Sequence, residues 1–390
     1  MSLPVISPVG MDLPAATTRS LLATKYPGAI GAWVAEMALG VSEPIQEALL
    51  REARNGTLGY NDPTSIQLGR ESVSRRMHDC YGLDVAPEAV GFVSDVVSGF
   101  AAVLRHYLSA GEAVVVPTPA YTPFLTVPKQ FGHPVVEVPG TYGPAGHRMD
   151  LEGIDRALAD GARLVVLCNP HNPTGRSFTP EELAALARIV GSHRARVFSD
   201  EIHAPLALTS RRHVPYACVS KLAADHTITA TSASKAWNTA GLKCAQLIFT
   251  SSSDAARWNT VADFYVRSVS RLGVAALVAA YEEQAASEWL AKTLFRLRSN
   301  NTMVADAVAG NMPGVEYQPA ESTYLAWLDC TRLGVDAPAA LFRQHAAVAM
   351  CEGAEFAGPG YVRLNFALPE PVLEQALTAM SRVVREVMRQ

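Results

Sequence analysis

The middle of the chain alternates short, uniformly apolar runs with longer segments of helical periodicity, and this alternation restricts the fold more than any other feature. Ala113-Val114-Val115-Val116, Leu164-Val165-Val166-Leu167, Arg196-Val197-Phe198-Ser199 and Ala245-Gln246-Leu247-Ile248-Phe249 are bounded by turn residues. Runs of this kind suit strands covered on both faces. Separated by helical patterns, they imply an α/β layered core with mostly parallel strands. After the second run, Thr179-Pro180-Glu181-Glu182 reads as a helix start, with Thr179 as N-cap, Pro180 at the first helical position and Glu182 closing a capping box. The polar stretch Asn169-Pro170-His171-Asn172-Pro173-Thr174-Gly175 therefore falls in a strand-to-helix loop. Open parallel sheets bind ligands at the carboxyl ends of their strands, so this loop is a candidate site.

From about Ala280 the texture changes to a long helical stretch through Leu297, followed by Thr323 to Asp329 and Tyr361 to Phe366, which read as short strands. This predicts a second, α+β domain. The larger domain is expected over residues 46–280 and the smaller one over 1–45 with 281–390. The N-terminal part is too short and too rich in Pro and Gly to fold alone, and is expected to pack on the C-terminal domain or at the domain junction. At 390 residues, 49% hydrophobic and 18% charged, the chain is long enough for both. A formal charge of -4 with dispersed basic residues leaves no footprint for nucleic acid or an anionic membrane. The six cysteines show no paired zinc-ligand spacing, so no metal is expected, and they read as reduced core residues of a cytoplasmic protein. Met1 to Thr18 lacks a basic start followed by an apolar block, and no segment is apolar for long enough to span a bilayer.

The chemistry lies in three polar clusters. Ser232-Ala233-Ser234-Lys235 follows the apolar strand beginning at Thr227, where a lysine can be held out of bulk water with a depressed pKa, as a Schiff-base amine requires. Asp200, in Ser199-Asp200-Glu201-Ile202-His203, ends an apolar strand where an unpaired carboxylate is costly, so it needs a cationic or hydrogen-bonding partner. A protonated pyridine nitrogen is one such partner; capping of the next turn is the other role open to it. Prolines flanking His171 and Asn172 restrict the backbone, and Gly175 permits tight geometry, so Asn172 can be aimed at a phenolic oxygen; an ordinary turn before a capped helix is the other reading, open for His171 in particular. Together the clusters describe a site for pyridoxal phosphate (PLP). Its phosphate needs backbone N–H groups at a helix start, and those near Asp95 and Val96 are candidates, joined by Ser232 and Lys243. Asp95 is assigned through its backbone, because its carboxylate opposes a phosphate. Tyr121 suits either stacking on the pyridine face or covering the rim of the core. Arg363, central to a short strand, suits either a clamp on a substrate α-carboxylate or a structural ion pair.

On these residues the sequence resembles the fold-type I, aspartate-aminotransferase-like PLP enzymes. The order Asn172, Asp200, Lys235, Arg363 matches that family's order and approximate spacing over nearly the whole chain. Within it, the chain looks most like the MalY/PatB-type cystathionine β-lyase or C-S lyase branch. The residues that carry this are Cys168 to Pro173, Asp200 to His203, Ser232 to Lys235 followed by Ala240-Gly241-Leu242-Lys243, and Thr323 to Asp329. The resemblance implies a large domain with a mostly parallel seven-stranded sheet between helices, plus a smaller α+β domain. It implies Lys235 as the cofactor-bound lysine, Asp200 as the ring-nitrogen partner, Asn172 as the phenolic-oxygen ligand, Tyr121 as the stacking ring and Arg363 as the carboxylate anchor. His203 takes a place where aminotransferases commonly carry tyrosine. Tyr60 matches the tyrosine such homodimers lend to the neighbouring subunit's cofactor phosphate. Trp33 to Ala38 is similar to the branch's Trp-x-Ala-Asp-Met-Asp segment near the substrate entrance, with Glu36 and Ala38 departing from it.

The activity implied is β-elimination from L-cystathionine or another L-cysteine S-conjugate to a thiol, pyruvate and ammonia. Transamination is the competing expectation, since it uses the same lysine and electron sink. A specialised reaction on a sulfur-bearing amino acid is a third, favoured by Glu36 and Ala38. A ligand-sensing regulator is not expected: such proteins usually carry a fused N-terminal DNA-binding domain, and the catalytic pattern here starts too early for one.

Overall fold

In the computed structural model, residues 25–143 and 146–389 are described, so the leader reading of Met1 to Thr18 lies outside the described residues. The chain divides into two compact units. One, the sheet unit, comprises Val41–His171 and Ser177–Ala291; the other, the terminal unit, comprises the chain up to Gly40, Asn172–Arg176 and Lys292 onward.

The sheet unit is built on seven strands: β1 (Val90–Val93), β2 (Val114–Thr118), β3 (Val135–Pro139), β4 (Leu164–Cys168), β5 (Arg196–Asp200), β6 (Thr227–Thr231) and β7 (Ala245–Phe249). Their order is β1-β7-β6-β5-β4-β2-β3. All neighbouring pairs are parallel except those made by β7, which runs antiparallel to both β1 and β6. This is a mostly parallel seven-stranded sheet, as the resemblance implied. The uniformly apolar runs are central strands: every residue of β2, β4, β6 and β7 is buried, whereas β3 at the edge is largely solvent-facing.

Helices cover both faces. Those used below are α1 (Glu43–Arg54), α2 (Pro63–Tyr81), α3 (Val96–Tyr107), α4 (Pro180–Ser192), α5 (Arg271–Glu282) and α6 (Gln284–Asn311). In α4 the expected capping box is present: Thr179 Oγ1 accepts from the Glu182 amide, and Glu182 accepts from the Thr179 amide. Its Leu183, Leu186 and Val190 pack with Val115, Val165, Leu167 and Val197 of the sheet. A second cluster joins Phe92 and Ile248 to Ile66, Val73 and Met77 of α2 and to Val274 and Leu277 of α5. Truncating one of the buried leucine, isoleucine, methionine or phenylalanine side chains to alanine costs about 2–5 kcal/mol.

Two sequence readings are corrected. The single helical stretch Ala280 to Leu297 is two helices, because Glu283 leaves the helical region (φ -83°, ψ 121°) after α5, and α6 then continues to Asn311. The cysteines are all free, but not all are core residues: Cys168, Cys330 and Cys351 are buried, Cys80 and Cys244 half-buried, and Cys218 exposed.

The terminal unit carries a four-stranded antiparallel sheet of β8 (Glu316–Tyr317), β9 (Leu325–Asp329), β10 (Cys351–Glu352) and β11 (Tyr361–Asn365), in the order β8-β9-β11-β10. Ile30–Gly31 pairs in parallel with Val348–Ala349, which fixes the N-terminal segment to the C-terminal part of the chain. Among the described residues no helix is long and apolar enough to cross a membrane.

Candidate active site

The topology of the sheet unit decides which loops share an edge. Asp95 follows β1, Tyr121 follows β2, Asp200 ends β5 and Lys235 follows β6, so all four lie beyond the carboxyl ends of parallel strands. Lys243 precedes β7, and because β7 runs the opposite way its start falls on the same edge. Residues scattered over more than a hundred positions are thereby gathered at the place where open α/β sheets bind ligands.

Asp200 is 4% exposed. Its Oδ1 accepts from the Ile202 amide at 3.1 Å, while Oδ2 meets only the Cys168 thiol, at 3.9 Å, among the described residues. Burial pushes its pKa up to about 7, against opposing pulls from the Ile202 amide and the Lys235 charge. This carboxylate lacks a strong donor on one oxygen. Behind it lies a network that was not among the expected site residues. Glu201 Oε1 accepts from Ser199 Oγ at 2.8 Å and from the Tyr216 amide at 3.0 Å, and Oε2 lies 2.8 Å from His213 Nε2. Both members of that pair are buried, and the Glu201 charge contributes to raising Asp200. Glu201 could have been suspected from its place beside Asp200 in an apolar strand end; nothing local marks His213.

Lys235 is half-buried in the turn after β6. Ser232, 2% exposed, donates its hydroxyl to the Cys244 carbonyl at 2.7 Å and accepts from the Ser234 amide at 3.1 Å. As a phosphate ligand it would have to exchange the Cys244 carbonyl for the anion. Asp95 caps α3, accepting from the Ser98 amide at 2.7 Å, and its Oδ2 pairs with Lys243 Nζ at 3.0 Å. That carboxylate is committed to the cap and the lysine, and Val96 opens the helix, whose first-turn amides have no intrahelical acceptors. Tyr121 precedes the helix Thr122–Gln130, with its ring held edge-on by Phe124 at 5.6 Å. His203 is buried in the turn after β5. Tyr60 stands apart from these groups, with its ring side chain 88% exposed.

The terminal unit holds Arg363, Asn172 and Trp33. Arg363 lies on β11 directly opposite Cys351 of β10, so the two side chains share a face. Its Nη1 donates to Asn172 Oδ1 at 3.0 Å, and its Nη2 donates to the Trp33 carbonyl at 2.8 Å and to Cys351 Sγ at 3.4 Å. The Phe356 ring packs 4.5 Å from the guanidinium. Arg363 is 4% exposed, makes no ion pair among the described residues, and its Nε has no hydrogen-bond partner. A buried guanidinium without a carboxylate is costly, and the cost is recovered when an anion arrives. The Trp33 segment is held by its backbone: Asn365 donates to the Val34 and Glu36 carbonyls at 2.7 and 2.6 Å, and Tyr324 donates to the Ala35 carbonyl at 3.0 Å. Lys25 Nζ lies 4.1 Å from the Trp33 ring centroid. Among the described residues no group of three or more His, Cys, Asp or Glu side chains could hold a metal ion.

Comparison with known proteins gives this arrangement a lineage. The chain is 36% identical over 370 residues to the cystathionine beta-lyase of Corynebacterium glutamicum, covering 94% of this chain and 97% of that one. It is 29% identical to the cystathionine beta-lyase PatB of Bacillus subtilis, over 90% and 91% of the two chains. Among solved structures, a putative PLP-dependent beta-cystathionase from Corynebacterium diphtheriae superposes with a TM-score of 0.90 at 34% identity, covering 96% of this chain and 99% of that one. Residues 34–380 match the aminotransferase class I and II family, and the chain belongs to that family.

Proposed function

We propose that this chain is a PLP-dependent carbon–sulfur β-lyase that converts L-cystathionine or a related L-cysteine S-conjugate, with water, into a thiol, pyruvate and ammonia. The observation that carries the reading is the buried Asp200 carboxylate, raised to about 7 and short of a strong donor, in a chain 36% identical to a cystathionine beta-lyase. A protonated ring nitrogen would supply the donor that Asp200 Oδ2 lacks and a positive charge directly against it, so the residues fit the cofactor. When bound, PLP contributes an aldehyde carbon that joins an amine and a ring that takes up the electron pair released at the substrate Cα.

The remaining work falls to this chain. Lys235 provides the amine that holds the cofactor between turnovers and then takes the Cα proton. Asp200, ionised against the ring N–H, keeps that proton in place and so maintains the electron sink. Asn172 would hydrogen-bond the phenolic oxygen, Tyr121 would serve as the stacking ring and His203 would line the cofactor. Backbone amides at Asp95 and Val96, together with Ser232 and Lys243, would hold the phosphate, with Lys243 drawn from its pair with Asp95. Arg363, helped by Asn172 and Trp33, would anchor the substrate α-carboxylate. We assign the cofactor to the larger domain expected over 46–280, with the smaller domain expected over 1–45 and 281–390, of which residues 1–24 lie outside the described residues. We take the working unit as a homodimer in which Tyr60 reaches the neighbouring phosphate. The exposure of Tyr60, with Leu58 at 59% and Leu50 and Leu68 at 50%, supports this. Free cysteines support a reducing, cytoplasmic setting.

Family membership keeps transamination as the second reading. Purified holoenzyme given L-cystathionine with no 2-oxo acid separates the two: the lyase releases pyruvate through many turnovers. An aminotransferase stops after one, in the pyridoxamine form.

A further inference from the structure

Arg271 opens α5, and a cation at a helix N-terminus runs against the macrodipole, so nothing in the helix itself calls for it. Its fork is spent elsewhere. Nε pairs with Glu52 Oε2 at 2.9 Å, at the end of α1, and Nη1 pairs with Asp62 Oδ2 at 3.0 Å, the N-cap of α2. The same Nη1 donates to the Tyr60 carbonyl at 3.3 Å. One guanidinium thus ties both ends and the interior of the α1–α2 connection, a planar task that an ammonium cannot reproduce. Beside it, Asn61 Nδ2 donates to the Val269 carbonyl at 2.8 Å. The Ser270 amide donates to the Lys243 carbonyl at 3.1 Å, which continues the chain of contacts to the lysine assigned to this subunit's own phosphate. The Tyr60 side chain itself is 88% exposed, so the clamped backbone sets where its hydroxyl can reach.

We infer that Arg271 is a positioning residue for cofactor binding, holding Tyr60 where it can meet the neighbouring subunit's phosphate; the inference rests on the role proposed for Tyr60. Asp62 Oδ2 also accepts from Ser65 Oγ at 2.6 Å, so the loop's far end is fixed from two sides and Arg271 supplies the link to α5.

The test is a double-mutant cycle read by PLP affinity, measured by titrating PLP into cofactor-free protein for wild type, Tyr60→Phe, Arg271→Ala and the double variant. Tyr60→Phe removes a hydrogen bond to a charged group and is expected to weaken PLP binding about tenfold or more. Arg271→Ala is expected to weaken it by a similar factor in wild type and by less than about twofold when Tyr60 is already Phe. Equal loss in both backgrounds, or no loss in either, overturns the inference. Unchanged binding by Tyr60→Phe alone instead removes the role of Tyr60, and the inference with it. Should Arg271→Ala fail to fold, Arg271→Lys carries the same cycle, with partial loss expected in wild type alone.

Discussion

Replacing Asp200 with Asn is expected to strengthen the cofactor-free protein and disable the enzyme. Burial raises the Asp200 carboxyl from 3.8 to about 7. Three units correspond to about 4 kcal/mol, borne by the folded state whenever the group is ionised there. The sign follows from proton counts. Between about 4 and 7 the unfolded chain has lost this proton and the folded chain keeps it, so stability falls as pH rises through that window. Below it the group costs nothing; above it the cost is constant. Asn has nearly the same shape, retains an acceptor for the Ile202 amide and carries no charge. The thermal midpoint of cofactor-free Asp200→Asn should therefore match wild type near pH 4. By pH 8 it should exceed wild type by an amount reflecting about 2–4 kcal/mol. With PLP present, turnover should fall by about 10²-fold or more, because a neutral amide cannot hold the ring proton. A midpoint difference independent of pH, or a cofactor-free variant less stable than wild type at pH 8, would refute the argument from burial.

Three further outcomes are expected. Lys235→Ala should lose the visible absorbance of lysine-bound PLP together with turnover; full activity in that variant would remove Lys235 from the site. Arg363→Lys should lower kcat/KM by about 10²-fold, mostly through KM, since two charge-assisted hydrogen bonds of about 1.5 kcal/mol each are replaced by a point charge; steady-state kinetics would show the split, and an unchanged KM would count against carboxylate binding. Gly175→Ala should destabilise the protein by about 1–3 kcal/mol, seen as a lowered unfolding midpoint, because Gly175 sits at φ +71° and a Cβ there would lie 2.5 Å from the Ala320 side chain.

The legible parts of the sequence were those whose physics is local. Strands buried on both faces have to be continuously apolar, and so β2, β4, β5 and β7 could be read within a residue or two. The α4 capping box is a four-residue pattern and stood out for the same reason. The α5–α6 break was hidden because helical periodicity runs through Glu283 with no Gly or Pro to mark it. What escaped entirely was long-range pairing. His213 reaches Glu201, Cys351 faces Arg363 across a strand pair, and Arg271 bridges to Glu52 more than two hundred positions away. Nothing in those segments announces a partner; only the topology brings them together. The candidate chemistry occupied a middle ground, since Asp200 and Lys235 sit in recognisable clusters while their shared edge depends on β5 and β6 pairing in parallel, and the place of Lys243 beside them on β7 reversing direction.

The most direct test of the lyase reading is a nitrogen balance on holoenzyme supplied with L-cystathionine and no 2-oxo acid. Elimination predicts ammonia, pyruvate and thiol in equal amounts, many-fold over enzyme. No ammonia, with the amino group retained on the cofactor or passed to an added 2-oxo acid, would contradict it.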